Sequence, residues 1–171
     1  MKALAILALI CSLGLCGFVY AYALRKRVRE LKEFLFGLEL LETEIVYAKN
    51  PLWYAFLNLG KSTDGIVSEF FTTVGQGMRE HRFHTAEDGF LSTLEGFQNR
   101  FSLQEKDLAI LKQFASNLGV TDGARQGEKI KTTQCALEMA LTSAKGLEEK
   151  WGRVAGLGGW IMGIVIGLLL I

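Results

Sequence analysis

The sequence is poor in cysteine and histidine and carries almost no net charge, and each shortage closes off a class of function. Of three cysteines, Cys11 and Cys16 sit inside an apolar run and Cys135 stands alone, so neither a disulfide framework nor zinc-type spacing is present. His81 and His84, with Glu80 beside them, form the one candidate metal cluster. Two His at i and i+3 can share a helix face, but a metal needs a third or fourth ligand, so the segment reads as an exposed polar connection. Once Lys2 is set aside, the remaining 18 basic residues match the 18 acidic ones, which leaves no field to attract nucleic acid. There is no phosphate-binding Gly-Lys-Ser/Thr loop, no Gly-x-Ser-x-Gly elbow, and no Cys that a motif pairs with a His. Glu39, Glu42 and Glu44 resemble a carboxylate cluster, yet Glu42 and Glu44 would point about 200° apart on an α-helix. The expectation is therefore no catalytic residue, no metal and no cofactor.

What is present is apolar sequence, concentrated at the two ends. Residues 3–24 carry no charge, and about 22 residues at ~1.5 Å each reach roughly 33 Å, enough for a bilayer core of ~30 Å. Residues 154–171 are also uncharged, and about 18 residues give roughly 27 Å, sufficient for a nearly upright span. Arg25, Lys26, Arg27 and Arg29 follow the first run, while Lys145, Lys150 and Arg153 precede the second. Loops rich in Lys and Arg stay in the cytoplasm, so both flanks put the middle of the chain there. A cleaved secretory signal is the rival for the first run, because Lys2 and Ala21-Tyr22-Ala23 imitate its ends. The run exceeds an h-region of ~7–15 residues, and the basic cluster behind it opposes export. That cluster reads as a topology signal on a solvated face, with Lys26–Glu30 and Arg29–Glu33 four apart.

Residues 25–153 are enough for a core of their own, and their periodicity is helical. Leu31, Leu35, Leu38, Leu41, Ile45 and Ala48 stripe the first helix, which Asn50-Pro51 ends. Leu52, Phe56 and Leu59 mark the second, closed by Gly60 and a loop from Lys61 to Gly65. Ile66, Phe70, Val74 and Met78 mark a third, weakened at its end by Gly75 and Gly77. Thr85 suits the cap of a fourth, with Phe90, Leu94, Phe97 and Phe101. Ser102 with Glu105 predicts a capping box for a fifth, which carries Leu108, Leu111, Ala115 and Leu118. Asp122 suits the cap of a sixth, where Ile130, Leu137, Ala144 and Trp151 are seven apart and no breaker precedes the second apolar run. Trp53, Tyr54, Phe70, Phe71 and Phe114 read as core aromatics. In the second run, Gly159, Gly163 and Gly167, with Gly156 nearby, form a small face that lets another helix approach in lipid. The expected architecture is all-α: an N-terminal transmembrane helix (1–24), a cytoplasmic bundle of about six helices (25–153) and a C-terminal transmembrane helix (154–171).

Two stretches carry a family pattern: Leu41-Glu42-Thr43-Glu44-Ile45-Val46-Tyr47 followed by Pro51-Leu52, and Leu111-Lys112-Gln113-Phe114-Ala115-Ser116-Asn117-Leu118-Gly119 followed by Asp122, Gln126 and Ile130. In this order, between two terminal spans, they resemble the stage III sporulation protein AB family of spore-forming bacteria. Gly123 departs from the pattern, where the family often has Arg, and the glycines from Val74 to Gly77 have no match in it. The resemblance implies a non-enzymatic scaffold in the complex built between mother cell and forespore. Its middle domain would be similar to the cytoplasmic domain of the type II secretion inner-membrane platform protein. It further implies contact with a secretion-type ATPase and other membrane subunits, a site in the mother-cell membrane around the forespore, and compatibility with a homo-oligomer. Glu42, Glu44, Tyr47, Asp122 and Gln126 are the candidate interaction residues it marks. Two other classes remain open. A pore-forming subunit needs polar residues inside the spans, which offer Ser12, Tyr20, Tyr22 and Trp160. A membrane-tethered enzyme needs titratable groups converging in a cleft.

Overall fold

In a computed structural model the described residues form helices joined by short connections. Helix α1 (Lys2–Glu42) passes into a π-helical turn, π1 (Thr43–Tyr47), followed by α2 (Leu52–Ser62), α3 (Gly65–Arg79), α4 (Ala86–Phe97), α5 (Glu105–Ala115) and α6 (Gly123–Leu169). The structure describes residues 2–116, 118–119 and 123–169, and the side chains of residues 12, 15–116, 118–119 and 126–151; no strand occurs among them. The Asp122 cap lies outside the described residues. The chain forms two compact units, Arg29–Leu141 and Met1–Val28 with Thr142–Ile171.

The larger unit is organised around aromatic rings. Phe70 of α3 meets Phe34 of α1, Phe90 of α4 and Phe101, at centroid separations of 5.6, 5.0 and 5.9 Å, all edge-on. Phe56, Phe71 and Phe114 complete this centre. The expected stripes are largely inward: Leu31, Leu38, Leu41, Phe56, Leu59, Phe70, Val74, Leu94, Leu111, Ile130 and Leu137 are all buried. Leu35 is only half-buried, and its place is taken by Phe34, one position earlier.

Three expectations about helix ends are corrected. Gly60 does not close α2, and Gly75 and Gly77 do not fray α3; all three lie inside their helices and are buried. They are glycines because neighbours leave no room: a Cβ at Gly60 would strike Thr72, and one at Gly77 the Phe83 ring. The third concerns α5. Its N-cap is Gln104, not Ser102, and the carboxylate Oδ2 of buried Asp107 accepts the Gln104 N–H at 2.9 Å. The Ser102 N–H instead donates to Glu30 Oε2 at 2.7 Å, a tie across 72 residues that local spacing cannot reveal. Asp107→Ala is therefore expected to cost about 1–2 kcal/mol, while Ser102→Ala stays within about 0.5 kcal/mol. Urea unfolding of the full chain in detergent measures both, and a larger loss at Ser102 would contradict this cap. The Thr85 cap is as expected, its Oγ1 accepting the Asp88 N–H at 3.0 Å.

In the smaller unit, Ala21, Leu24 and Val28 of α1 and Ala144 of α6 are buried. Leu15, Phe18, Val19, Tyr20 and Tyr22 face outward, each at least half exposed. Arg27 is 2% exposed and, in the larger unit, Glu30 is 3% exposed, so the solvated-face reading of the basic cluster fails at both. Among the described residues, no helix is long and apolar enough to cross a membrane. Residues 154–171, with Gly156, Gly159, Gly163 and Gly167, lie outside those whose side chains are described, and residues 3–24 do so in part. Helix α6 is unbroken from Gly123 to Leu169, a continuity that the lack of a breaker allows.

Candidate interaction surface

The first motif builds a rigid corner in the larger unit. At Thr43 the helix widens to π geometry, with the Ala48 N–H reaching back five residues to the Thr43 carbonyl at 3.1 Å. Lys49 then takes a left-handed backbone with φ 53°, and Pro51 caps α2. Glu44 fastens the corner, its carboxylate accepting from Asn50 Nδ2 at 2.6 Å and from Asn58 Nδ2 of α2 at 3.1 Å. Since an outgoing chain, a turn and the returning helix share one carboxylate, Glu44 is a strut.

Glu42 does something else: its carboxylate lies 3.4 Å from Lys131 Nζ of α6. The two glutamates do not act as a pair. The π1 turn changes the α-helical angle between them, yet their partners still lie apart, Lys131 on α6 for Glu42 and, for Glu44, Asn50 in the turn and Asn58 on α2. Nearby, Val46 packs so closely on Gly127 that a Cβ there would stand 3.0 Å from Val46 Cγ2. Gln126, beside it, is 5% exposed, and its Nε2 has no acceptor among the described residues. Tyr47 points out, 76% exposed. Of the five candidate interaction residues, the structure thus leaves one fully presented, half-buries two as internal ties, buries Gln126, and does not describe Asp122.

Two aromatics expected in the core are outside it. Trp53 and Tyr54 open α2 at the surface, 36% and 41% exposed, their rings edge-on at 5.6 Å. Helix α2 buries Ala55, Phe56 and Leu59 instead, and the two rings preceding that stripe are turned away. Trp53 also borders an open groove of about 210 Å³, lined by Leu52, Met78, Phe83 and His84. Among the described residues, His84 is the one titratable side chain lining that groove. His81 and His84 are both exposed, and Glu80 is engaged by Arg82. Among the described residues, no three potential ligands gather to hold a metal.

The arrangement is that of a surface which presents the aromatic side chains of Tyr47, Trp53 and Tyr54. A family model described as stage III sporulation protein AB matches residues 2–171. The chain is 27% identical to the stage III sporulation protein AB of Bacillus subtilis (strain 168) over 154 residues, covering 90% of each. A solved structure of a stage III sporulation protein AB superposes with a TM-score of 0.68 at 26% identity, over 73% of this chain and 98% of that one.

Proposed function

The chain belongs to the stage III sporulation protein AB family, and from that membership we propose that it is a non-enzymatic membrane scaffold of the channel complex between mother cell and forespore. Residues 1–24 and 154–171 cross the membrane, and residues 25–153 lie in the cytoplasm. There they link a secretion-type ATPase to the other membrane subunits. The observation that carries this reading is the two-sided character of α1. Toward its start, Leu15, Phe18, Val19, Tyr20 and Tyr22 are exposed, whereas further along Leu31, Phe34, Leu38 and Leu41 are fully buried. A contiguous apolar surface of that kind is unfavourable in water and is covered by lipid at no cost. Arg25, Lys26, Arg27 and Arg29 follow it on the side that stays in the cytoplasm. Gly156, Gly159, Gly163 and Gly167 give the second span a face against which another span can pack.

Topology has a direct check. Cys135 is exposed on α6, so with Cys11 and Cys16 replaced by alanine it should react in intact sporulating cells with membrane-permeant maleimides only. Labelling by an impermeant maleimide would reverse the assigned sidedness. The scaffold role is tested by purifying the full chain from crosslinked sporulating membranes. The sporulation ATPase and other membrane subunits are expected with it, and recovery of neither would refute the role.

A further inference from the structure

The two compact units divide the charge unevenly, although the chain as a whole is nearly neutral. Met1–Val28 with Thr142–Ile171 holds seven basic and two acidic residues, whereas Arg29–Leu141 holds 12 basic and 16 acidic ones. Apart from Lys2, the six bases of the smaller unit fall in residues 25–27 and 145–153, and its two acids, Glu148 and Glu149, lie in the second stretch. Counting all of them leaves a net charge of +4 beside the apolar runs. Arg25, Lys145 and Lys150 are exposed and Lys26 is half-buried, whereas Arg27 is turned inward. Arg25 and Lys26 directly follow residues 3–24, and Lys150 stands four residues before residue 154. At ~1.5 Å per residue all three lie within about 6 Å of an apolar run, inside a Debye length of ~8–10 Å. Rings accompany the bases on both helices: Tyr20 and Tyr22 of α1 are 52% and 60% exposed, and Trp151 of α6 is 46% exposed. Exposed rings are unfavourable in water, but at the level of lipid headgroups their apolar faces and polar tips are both satisfied.

We propose that these bases and rings form a collar that binds the headgroups of anionic phospholipid, a statement that rests on the membrane-spanning reading and deepens it. The guanidinium of Arg25 and the ammonium of Lys150 donate to lipid phosphate oxygens, with Tyr22 and Trp151 at the same depth. A topology signal needs only the bases. The exposed rings beside them on both helices, and the shortage of acids in this unit, are what a headgroup site adds. Six bases also fall within the clusters of about four to eight that retain anionic lipid. The larger unit, in which acids outnumber bases, is repelled by the same surface, so attraction is confined to the collar. A zwitterionic headgroup carries no net charge and gains little from the bases.

The test uses the full chain with Trp53→Phe and Trp160→Phe, so that Trp151 alone fluoresces, in nanodiscs of neutral lipid. The discs are doped with phosphatidylglycerol or phosphatidylcholine that carries a nitroxide quencher near the headgroup end of one acyl chain. Quenching should favour phosphatidylglycerol about fivefold, the effect of one base close to an anionic headgroup, and the preference should shrink in high salt. Arg25→Gln with Lys150→Gln should bring the ratio to about one, while quenching by phosphatidylcholine at its original level shows that the variant is folded and inserted. Arg25→Lys with Lys150→Arg should keep the preference. Lys106→Gln with Lys112→Gln removes the same charge from exposed positions of the larger unit and should keep it too. Equal quenching by the two lipids, or a preference that survives Arg25→Gln with Lys150→Gln, would overturn the collar and leave the spans standing. Quenching by neither lipid would remove the spans as well. If the lipids quench equally and the Gln variant instead loses the sporulation subunits on purification, the bases serve an acidic protein and the lipid site falls.

Discussion

Phe70→Ala is expected to destabilise the larger unit by about 3–5 kcal/mol, the range for removing a fully buried aromatic that leaves a cavity behind. Phe70 has no exposed surface, and its ring touches Phe34, Phe71, Phe90, Phe97 and Phe101. Those rings come from α1, α3, α4 and the segment after α4, so the gap would open where three helices meet and could not close by moving one of them. Several contacts are edge-on, an arrangement that adds about 0.5–1.5 kcal/mol per pair beyond burial. Domains hold only about 5–15 kcal/mol in total, so the variant should be close to unfolding at physiological temperature. Phe36→Ala is the control, because that ring is 47% exposed on α1, and a change within about 0.5 kcal/mol is expected. Urea midpoints of the two full-length variants in detergent separate the cases; comparable losses would mean that the ring cluster does not organise this core.

Phe70 was legible in the sequence because Ile66, Phe70, Val74 and Met78 repeat every turn, and so was Thr85, whose capping oxygen acts three residues away. Signals of that reach survive without tertiary information. The start of α5 did not, because a Ser-x-x-Glu pattern competes with a Gln-x-x-Asp pattern two residues on, and Glu30 decides between them by holding the Ser102 N–H. Trp53 and Tyr54 were misplaced for a similar reason. Apolarity counts rings, but only the stripe of Phe56 and Leu59 fixes which side of α2 faces in. At the candidate surface, the family pattern marked Glu44 and Tyr47 without separating their tasks, since a π turn and a carboxylate shared by two asparagines have no local spacing signature. The glycines depart furthest from what helix propensity predicts. Helix propensity treats each one as a weak point, whereas Gly60, Gly75 and Gly77 are where helices or loops come too close for any side chain.

Gly75 offers the sharpest test of that last point. In α3 it faces the backbone of α2, and a Cβ built on it would stand 2.9 Å from the Leu57 N and 3.0 Å from the Trp53 carbonyl oxygen. Backbone atoms inside a helix cannot rotate away as a side chain would, so relief requires α2 and α3 to separate. Separation would stretch the bond from Ser68 Oγ to the Gly60 carbonyl, now 2.5 Å, which joins the same two helices. Gly75→Ala should therefore cost about 1–3 kcal/mol through overpacking, and this outweighs the ~1 kcal/mol that alanine gains over glycine in a helix interior. Gly75→Leu should lie at or beyond the top of that range, because three further carbons must enter the same seam. Gly96 in α4 supplies the opposite sign, since nothing lies within 4 Å of a Cβ built there. With no clash to oppose the propensity, Gly96→Ala should stabilise by about 0.5 kcal/mol. If both alanine variants shifted the urea midpoint in the same direction, close α2–α3 approach would not be the reason for glycine at position 75.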